Sequence, residues 1–386
     1  YRINQKEGKF DYITPKAPKG EKPYRFNWQT PILLSSHNQD ILYMGSEFLQ
    51  RSMNQGETWE RISGDLTNGA KEGNVAFGTI STISESKFQF GLLYAGSDDG
   101  KIHVSKDGGV SWQLISGNLP QNLWVSRVVA SSHKKERVYV TLNGYRNDNF
   151  ESYAFVSEDF GATWTSISNG LTQAVNVIVE DSANENILYV GTDNGLFISV
   201  DKGANWQDFS NGMPKVAIHD AVIQTKAKEL IVGTHGRSIY KMDISKVQEL
   251  TKDVLAKNLH LFKVNDRTKS ERWGSQNYAW GKPSEPSQTI WFYSNADGIV
   301  NVSITNEAGM LVHTQKVEAK KGLNSFAYDY LLSKEVAEKW NKKDKNIKIK
   351  EAENKKFYLP VGKYKMTVSK DKATETKSFE VTAPKK

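Results

Sequence analysis

Apolar and polar residues alternate along much of the chain in short runs separated by turn-forming residues, the period-two pattern of half-buried strands. Between residues 30 and 244 the runs recur in a fixed order. A first run, Thr30–Leu34, Ile80–Ile83, Val128–Ser131, Val175–Val179 or Ala221–Gln224, precedes a second, Ile41–Met44, Leu92–Ala95, Val138–Thr141, Ile187–Val190 or Leu230–Val232. Tight turns follow, at Gly45-Ser46-Glu47, 96–100, 191–195 and 233–236; the third unit instead has a long turn, Asn143–Tyr153. A third run then leads to a polar loop, and a fourth carries a tryptophan. The last unit, Ile218–Ile244, has three runs and no such loop. The pattern predicts an all-β array of consecutive four-stranded units.

The polar loops share one motif, Ser-x-Asp-x-Gly-x-Thr-Trp. It appears as Ser52 to Trp59, Ser105 to Trp112, Ser157 to Trp164 and Ser199 to Trp206, at spacings of 53, 52 and 42 residues. Periods of roughly 40–50 residues belong to propeller blades. An Asp or Asn side chain accepts from backbone N–H groups just downstream. Glycine supplies a positive φ without steric cost, and tryptophan buries a large apolar surface between blades. Asn54, Asp107, Asp159 and Asp201 with Trp59, Trp112, Trp164 and Trp206 are therefore read as structural, not catalytic.

These loops resemble those of the Asp-box (BNR) repeat proteins, which include sialidases, xyloglucanase-like hydrolases and the sortilin luminal domain. Three phrases sharpen the resemblance: Arg25-Phe26-Asn27-Trp28-Gln29-Thr30-Pro31, Trp124-Val125-Ser126-Arg127-Val128 and Gly233-Thr234-His235-Gly236-Arg237. They are similar to large, Bacteroidetes-like bacterial envelope proteins labelled glycosyl hydrolase from their repeats. The resemblance covers residues 1–245 and implies an extracytoplasmic location, in the periplasm or on the cell surface. It also implies six or more blades. Five are countable here, so further upstream blades of the same protein are expected as partners, with residues 1–22 holding an orphan outer strand (1–16) and a connector.

Beyond the five blades of 23–244, residues 245–257 read as a linker helix and 258–386 as an Ig-like β-sandwich of six or seven short strands. Leu359-Pro360-Val361-Gly362-Lys363-Tyr364 resembles the lead into a late strand of Ig-like domains of the flagellar hook-cap type. Residues 333–356 look like a lysine-rich polar insertion with a helical start and no core pattern.

Composition narrows the function. The net charge of +7 is local: residues 333–386 hold 16 Lys against 8 Asp and Glu, so the rest is near neutral. That suits a solvated, edge-protecting surface better than nucleic-acid binding. The absence of cysteine excludes disulfides and thiolate chemistry. No apolar run reaches the ~18 residues of a membrane span. No zinc-helix motif, phosphate loop or nucleophile elbow occurs, so neither metal nor cofactor is expected.

Topology places ligand chemistry on one face. The approaches to the inner strands and the turns between strands two and three converge there, away from the Asp boxes. Candidate ligand-binding residues are Trp28, Trp124, Arg127, Arg146, His219, His235 and Arg237. Glu47 lies on the same turns, and candidate catalytic carboxylates are Asp98, Asp99, Asp148, Asp193 and Asp220. Arginines and aromatics in such a mouth suit a sugar or protein ligand. Two carboxylates about 5–5.5 or 6.5–9.5 Å apart suit glycoside hydrolysis. The sequence favours a non-catalytic binding or scaffold module of the envelope, engaging a polysaccharide or an envelope or secretion-machinery protein. A xyloglucanase-like glycoside hydrolase is the alternative.

Overall fold

The computed structural model describes residues 1–73, 77–210, 212–276, 278, 280–345 and 347–384. The chain divides into two compact units, Tyr1–Gln248 and Glu249–Lys386.

In the first unit the alternating runs form consecutive antiparallel meanders, the blades of an all-β propeller. Blade one is Ile32–Leu34, Leu42–Gly45, Leu49–Ser52 and Glu60–Arg61; blade two is Ile80–Glu85, Leu93–Ser97, Ile102–Ser105 and Gln113–Leu114. Blade three is Trp124–Ala130, Val138–Gly144, Asn149–Ser157 and Thr165–Ser166; blade four is Val175–Glu180, Leu188–Thr192, Gly195–Ser199 and Gln207–Asp208. Blade five has three strands, Ile218–Gln224, Glu229–Thr234 and Ile239–Asp243.

The apolar faces of adjacent blades share cores. Tyr43, Leu49 and Ile62 meet Ile80 and Leu93 between blades one and two, and Trp112 packs on them. Trp164 and Trp206 pack on the next two cores in the same way. Each box tryptophan also donates its indole N–H to the blade before it: Trp112 to the Ile62 carbonyl at 2.8 Å, Trp164 to Ile115 at 2.8 Å, Trp206 to Ile167 at 2.6 Å.

The box turn explains its own motif. Ser105 Oγ accepts from Gly109 N at 2.8 Å, and Asp107 accepts from Ser111 N at 2.9 Å and Ser111 Oγ at 2.5 Å. Hydrogen bonds from the Ser111 hydroxyl and N–H hold the exposed Asp107 carboxyl down at about 2. Asn54 accepts from Thr58 N at 2.9 Å, so amide replaces carboxylate without losing the turn. Gly109 has φ +95°, and a Cβ there would lie 2.7 Å from the Ile62 carbonyl. Only glycine satisfies both conditions.

Buried polar clamps join adjacent blades, one to two and three to four. Ser35 Oγ and Tyr43 Oη donate to Glu85 at 2.7 and 3.0 Å; Ser131 Oγ and Tyr139 Oη donate to Glu180 at 2.8 and 3.0 Å. Burial raises both tyrosine hydroxyls above their usual range. Paired in this way, the buried carboxylates avoid the cost of an unsatisfied charge.

Local structure departs from the sequence expectations at four places. The expected long turn Asn143–Tyr153 is only Tyr145–Asp148, because Gly144 pairs with Asn149 and the ladder takes up the remaining backbone groups. Residues 1–16 hold a hairpin, Arg2–Asn4 paired with Lys9–Asp11, not a single strand. The expected linker helix is two four-residue helices. Ser245–Gln248 belongs to the first unit, where Gln248 Nε2 donates to Asp181 at 3.1 Å; Lys252–Leu255 begins the second, capped by Thr251.

The second unit packs a three-stranded sheet (Leu259–Leu261, Gln288–Ser294, Gly322–Tyr328) against a five-stranded one. The larger sheet runs Arg267–Thr268, Ala373–Thr382, Gly362–Lys370, Gly298–Asn306, Leu311–Ala319, with its first pair parallel. Ile290, Phe292, Val302, Ile304, Met366 and Phe379 lie in their shared core. Tyr364 Oη donates to the Pro360 carbonyl at 2.7 Å, which accounts for the Pro-x-Gly-x-Tyr spacing.

Here lies the fourth departure: segment 333–356 does reach the core. Ser333 caps the helix Lys334–Lys343, and Ala337 and Trp340, three residues apart, share its buried face. Ile349 joins them, held by Asn341, which donates to its carbonyl at 2.9 Å and accepts from its N–H at 2.8 Å.

Candidate functional site

The inner strands carry a repeated irregularity that builds the site. In blades two to five the register with the second strand breaks at one equivalent point: between Ile80 and Thr82, Val125 and Arg127, Val175 and Val177, and Ile218 and Asp220. Such a bulge adds a residue and re-aims its side chain. The residues at these breaks, Ser81, Ser126, Asn176 and His219, all line one open pocket of about 810 Å³. All five blades contribute to it.

Seven of the residues singled out from sequence meet in this pocket: Trp124, Arg127, Arg146, Asp193, His219, Asp220 and His235. Arg127 Nη2 donates to Asp220 Oδ1 at 2.7 Å across two blades, while its Nε is buried without a partner among the described residues. The Arg146 guanidinium lies 4.0 Å from the Trp124 ring centroid, a cation–π stack that fixes both side chains. His219 and His235 meet edge to face with centroids 5.3 Å apart. Burial, reinforced by His235 and Arg146 against the pull of Asp193, holds His219 below the usual imidazole range. It is therefore neutral near pH 7. Asn143 Nδ2 donates to Asn176 at 2.7 Å, and Asn176 Nδ2 donates to Asp193 at 2.8 Å.

The other candidates lie elsewhere. Trp28 is 88% exposed and Arg237 is exposed; neither lines the pocket. Asp98 is buried, accepting from Gly78 N, Thr79 N and Thr79 Oγ1 at 3.0, 2.9 and 2.6 Å. Burial raises its pKa although these bonds oppose the rise. Asp99 is buried too, accepting from Ser97 Oγ at 2.5 Å and Asn68 N at 2.6 Å. Both aspartates hold backbone turns, which removes them from the ligand face. Glu47 is occupied by Arg25, accepting its N–H at 2.7 Å. Arg25 and Asn27 tie the lead into blade one to Gly78 and Thr79, so the phrase around Trp28 is a structural latch. Asp148 sits in the left-handed region with φ 53° and borders a separate depression with Glu151 and Thr172.

Sequence reasoning missed Ser81, Ser126, Asn143 and Asn176. Serine and asparagine in a strand carry no chemical signature, and the bulge that turns them inward is a pairing event.

A family model described as Sortilin, neurotensin receptor 3, matches residues 47–174. Among solved structures, an ancestral GH74 enzyme is 16% identical, with TM-score 0.45 over 81% of this chain and 40% of its own. The GH74 xyloglucanase of Xanthomonas campestris is 13% identical, with TM-score 0.46 over 83% of this chain and 48% of its own. PorZ, a surface component of the type-IX secretion system of Porphyromonas gingivalis, is 15% identical, with TM-score 0.42 over 91% of this chain and 51% of its own. These neighbours are β-propeller proteins, and the chain spans about half of their lengths or less. A search of curated proteins finds no match. Among the described residues no helix is long and apolar enough to cross a membrane.

Proposed function

We propose that the first unit is a binding module of the bacterial cell envelope, outside the cytoplasm, and takes a polysaccharide or protein segment in its channel-face pocket. The second unit, read as an Ig-like domain, serves as spacer or docking element. The observation that carries this reading is the Arg146–Trp124 stack at the pocket mouth. It presents a cation that no carboxylate of the described residues neutralises, in a pocket that Arg127 also lines. Such groups grip a polar ligand through directed hydrogen bonds. The match of residues 47–174 to a family named for a receptor supports binding over catalysis.

Glycoside hydrolysis is the second reading, favoured by the presence of Asp193 and Asp220 in the same pocket. Against it, Asp220 is ion-paired with Arg127 and Asp193 accepts from Asn176. One experiment separates the two. A panel of envelope polysaccharides and peptides is titrated calorimetrically, and the same polysaccharides are assayed for release of reducing ends. Binding that Trp124→Ala with Arg127→Ala weakens tenfold or more, without reducing-end release, is expected. Release abolished by Asp193→Asn or Asp220→Asn would establish the hydrolase instead.

A further inference from the structure

Trp273 anchors a loop of the second unit. Its ring is buried against Tyr330 and Tyr358, with centroids 5.5 and 5.9 Å apart. Beyond it the chain turns back on itself: Gly274 N donates to the Ser284 carbonyl at 2.7 Å, and Ser284 N to the Ser275 carbonyl at 2.8 Å. The segment 352–358 holds this base in place. Asn354 N donates to the Gly274 carbonyl at 3.1 Å, and Gln276 N donates to Glu353 at 3.1 Å. Glu285 accepts from Asn354 Nδ2 at 3.0 Å and from Lys356 Nζ at 2.7 Å. Gly274 has φ +82°, and a Cβ there would lie 2.6 Å from both Ala352 Cβ and Asn354 Oδ1. Glycine thus lets the base of the loop close directly onto that segment.

The tip of the same loop carries two rings that face water. Gly281 N donates to the Tyr278 carbonyl at 2.9 Å, and Gln276 Nε2 donates to the Gly281 carbonyl at 2.7 Å. Tyr278 and Trp280 stack with centroids 5.5 Å apart and planes 14° apart, yet are 64% and 86% exposed. Rings left in water forgo the stabilisation that burial would give them, so a pinned loop that displays them points to a binding site. The surroundings indicate the partner. From Ser270 to Ser287 the sequence has no Val, Leu, Ile or Met, and the exposed side chains Gln276, Lys282, Ser284 and Glu285 are polar. Two aromatic rings offer roughly 300–500 Å², against the roughly 800 Å² that each partner gives to a stable protein interface. With no aliphatic side chain in the loop to extend it, the patch is too small for a protein. A sugar matches it: a pyranose presents a flat face of C–H groups to an aromatic ring and hydroxyl groups to the polar side chains around it.

We propose that Tyr278 and Trp280 form a carbohydrate-binding platform on the second unit, separate from the channel pocket of the first. Its ligand is a polysaccharide chain, one pyranose ring of which lies flat on the exposed indole of Trp280 while Tyr278 backs that indole from the other side. The Lys282 ammonium and the Ser284 hydroxyl, on the returning arm of the loop, serve the sugar's hydroxyl groups. The hydrogen bonds at the base hold the loop in place before the ligand arrives, so little ordering cost opposes binding.

The test starts from a host chain carrying Trp124→Ala with Arg127→Ala, so that survival or loss of binding in the channel pocket does not enter the result. Affinity electrophoresis through gels holding hydroxyethyl cellulose, glycol chitin, mannan or dextran reads binding, and tryptophan fluorescence reads the indole. The host is retarded in at least one gel. With that polysaccharide in solution its emission shifts to the blue and acrylamide quenches it less. In the host, Trp280→Ala weakens the affinity about tenfold or more, Tyr278→Ala weakens it less, and Trp280→Phe, which keeps a ring, retains part of it. Tm is unchanged in all three, because the rings are exposed. No retardation in any gel overturns the proposal. So does a Trp280→Ala chain retarded like the host, or one whose Tm falls by several degrees, which would make the ring structural. Co-sedimentation of the host with phosphatidylethanolamine–phosphatidylglycerol vesicles, abolished by Trp280→Ala, would assign the rings to a membrane surface and likewise overturn it.

Discussion

Replacing Trp112 tests whether the Asp boxes hold the blades together or serve ligand binding. The indole is half-buried against Tyr43, Leu49, Ile62 and Ile80 and donates to the Ile62 carbonyl at 2.8 Å. Emptying a fully buried aromatic costs about 3–5 kcal/mol. Half-burial reduces the packing share to about 2 kcal/mol, and the orphaned carbonyl adds about 1 kcal/mol. Trp112→Ala should therefore destabilise the first unit by about 3 kcal/mol, or lower its Tm by about 6–12 °C. Trp112→Phe keeps the ring and loses the donor, so it should cost about 1–1.5 kcal/mol. Urea unfolding followed by circular dichroism measures both. No box residue lines the channel pocket, so ligand affinity measured on folded protein should not change. Equal costs for alanine and phenylalanine would refute the packing share, and a phenylalanine variant as stable as the wild type would refute the assigned hydrogen bond. Lost binding with intact stability would refute the structural role itself.

Three further outcomes follow from particular contacts. Gly109→Ala should lower stability by more than 1 kcal/mol, roughly the conformational penalty alone, because its Cβ also meets Ile62; a neutral urea midpoint would contradict the turn geometry. Burial, then Lys101, hold His103 down at about 4. With an unfolded value of about 6.5, the neutral imidazole's contribution is fully present above that pH and is lost as pH falls toward 4. His103→Gln should flatten the stability profile in that window by roughly 3 kcal/mol, and an unchanged profile would remove His103 as its source. In the second unit Tyr364→Phe should cost about 1 kcal/mol by freeing the Pro360 carbonyl, with the thermal transition as readout.

Several features of the fold were legible in the residues themselves. The boxes could be read because their turn is local: Asp107 and Ser111 are four residues apart and close the loop between themselves. Strand alternation likewise marked the blades, because period two survives wherever one face is buried. Much of the channel face was legible too, since consecutive meanders leave few choices for where turns emerge. Trp124, Arg146 and His235 were found that way.

What sequence could not determine depends on pairing between distant segments. The bulges that turn Ser81, Ser126 and Asn176 into the pocket are mismatches between two strands, visible only once both are in place. Asp98 and Asp99 look like pocket acids in a turn, yet backbone N–H groups of Gly78, Thr79 and Asn68 draw them inward. Arg127 finds Asp220 93 residues away. The lysine-rich segment 333–356 hides its core role because Ala337, Trp340 and Ile349, with Val336, Ile347 and Ala352 packed beside them, are scattered among many charges. Sequence determined the repeating unit, since its turns and alternation are short-range; tertiary structure decided which polar groups remain free for a ligand, since that depends on which donors other strands bring to them.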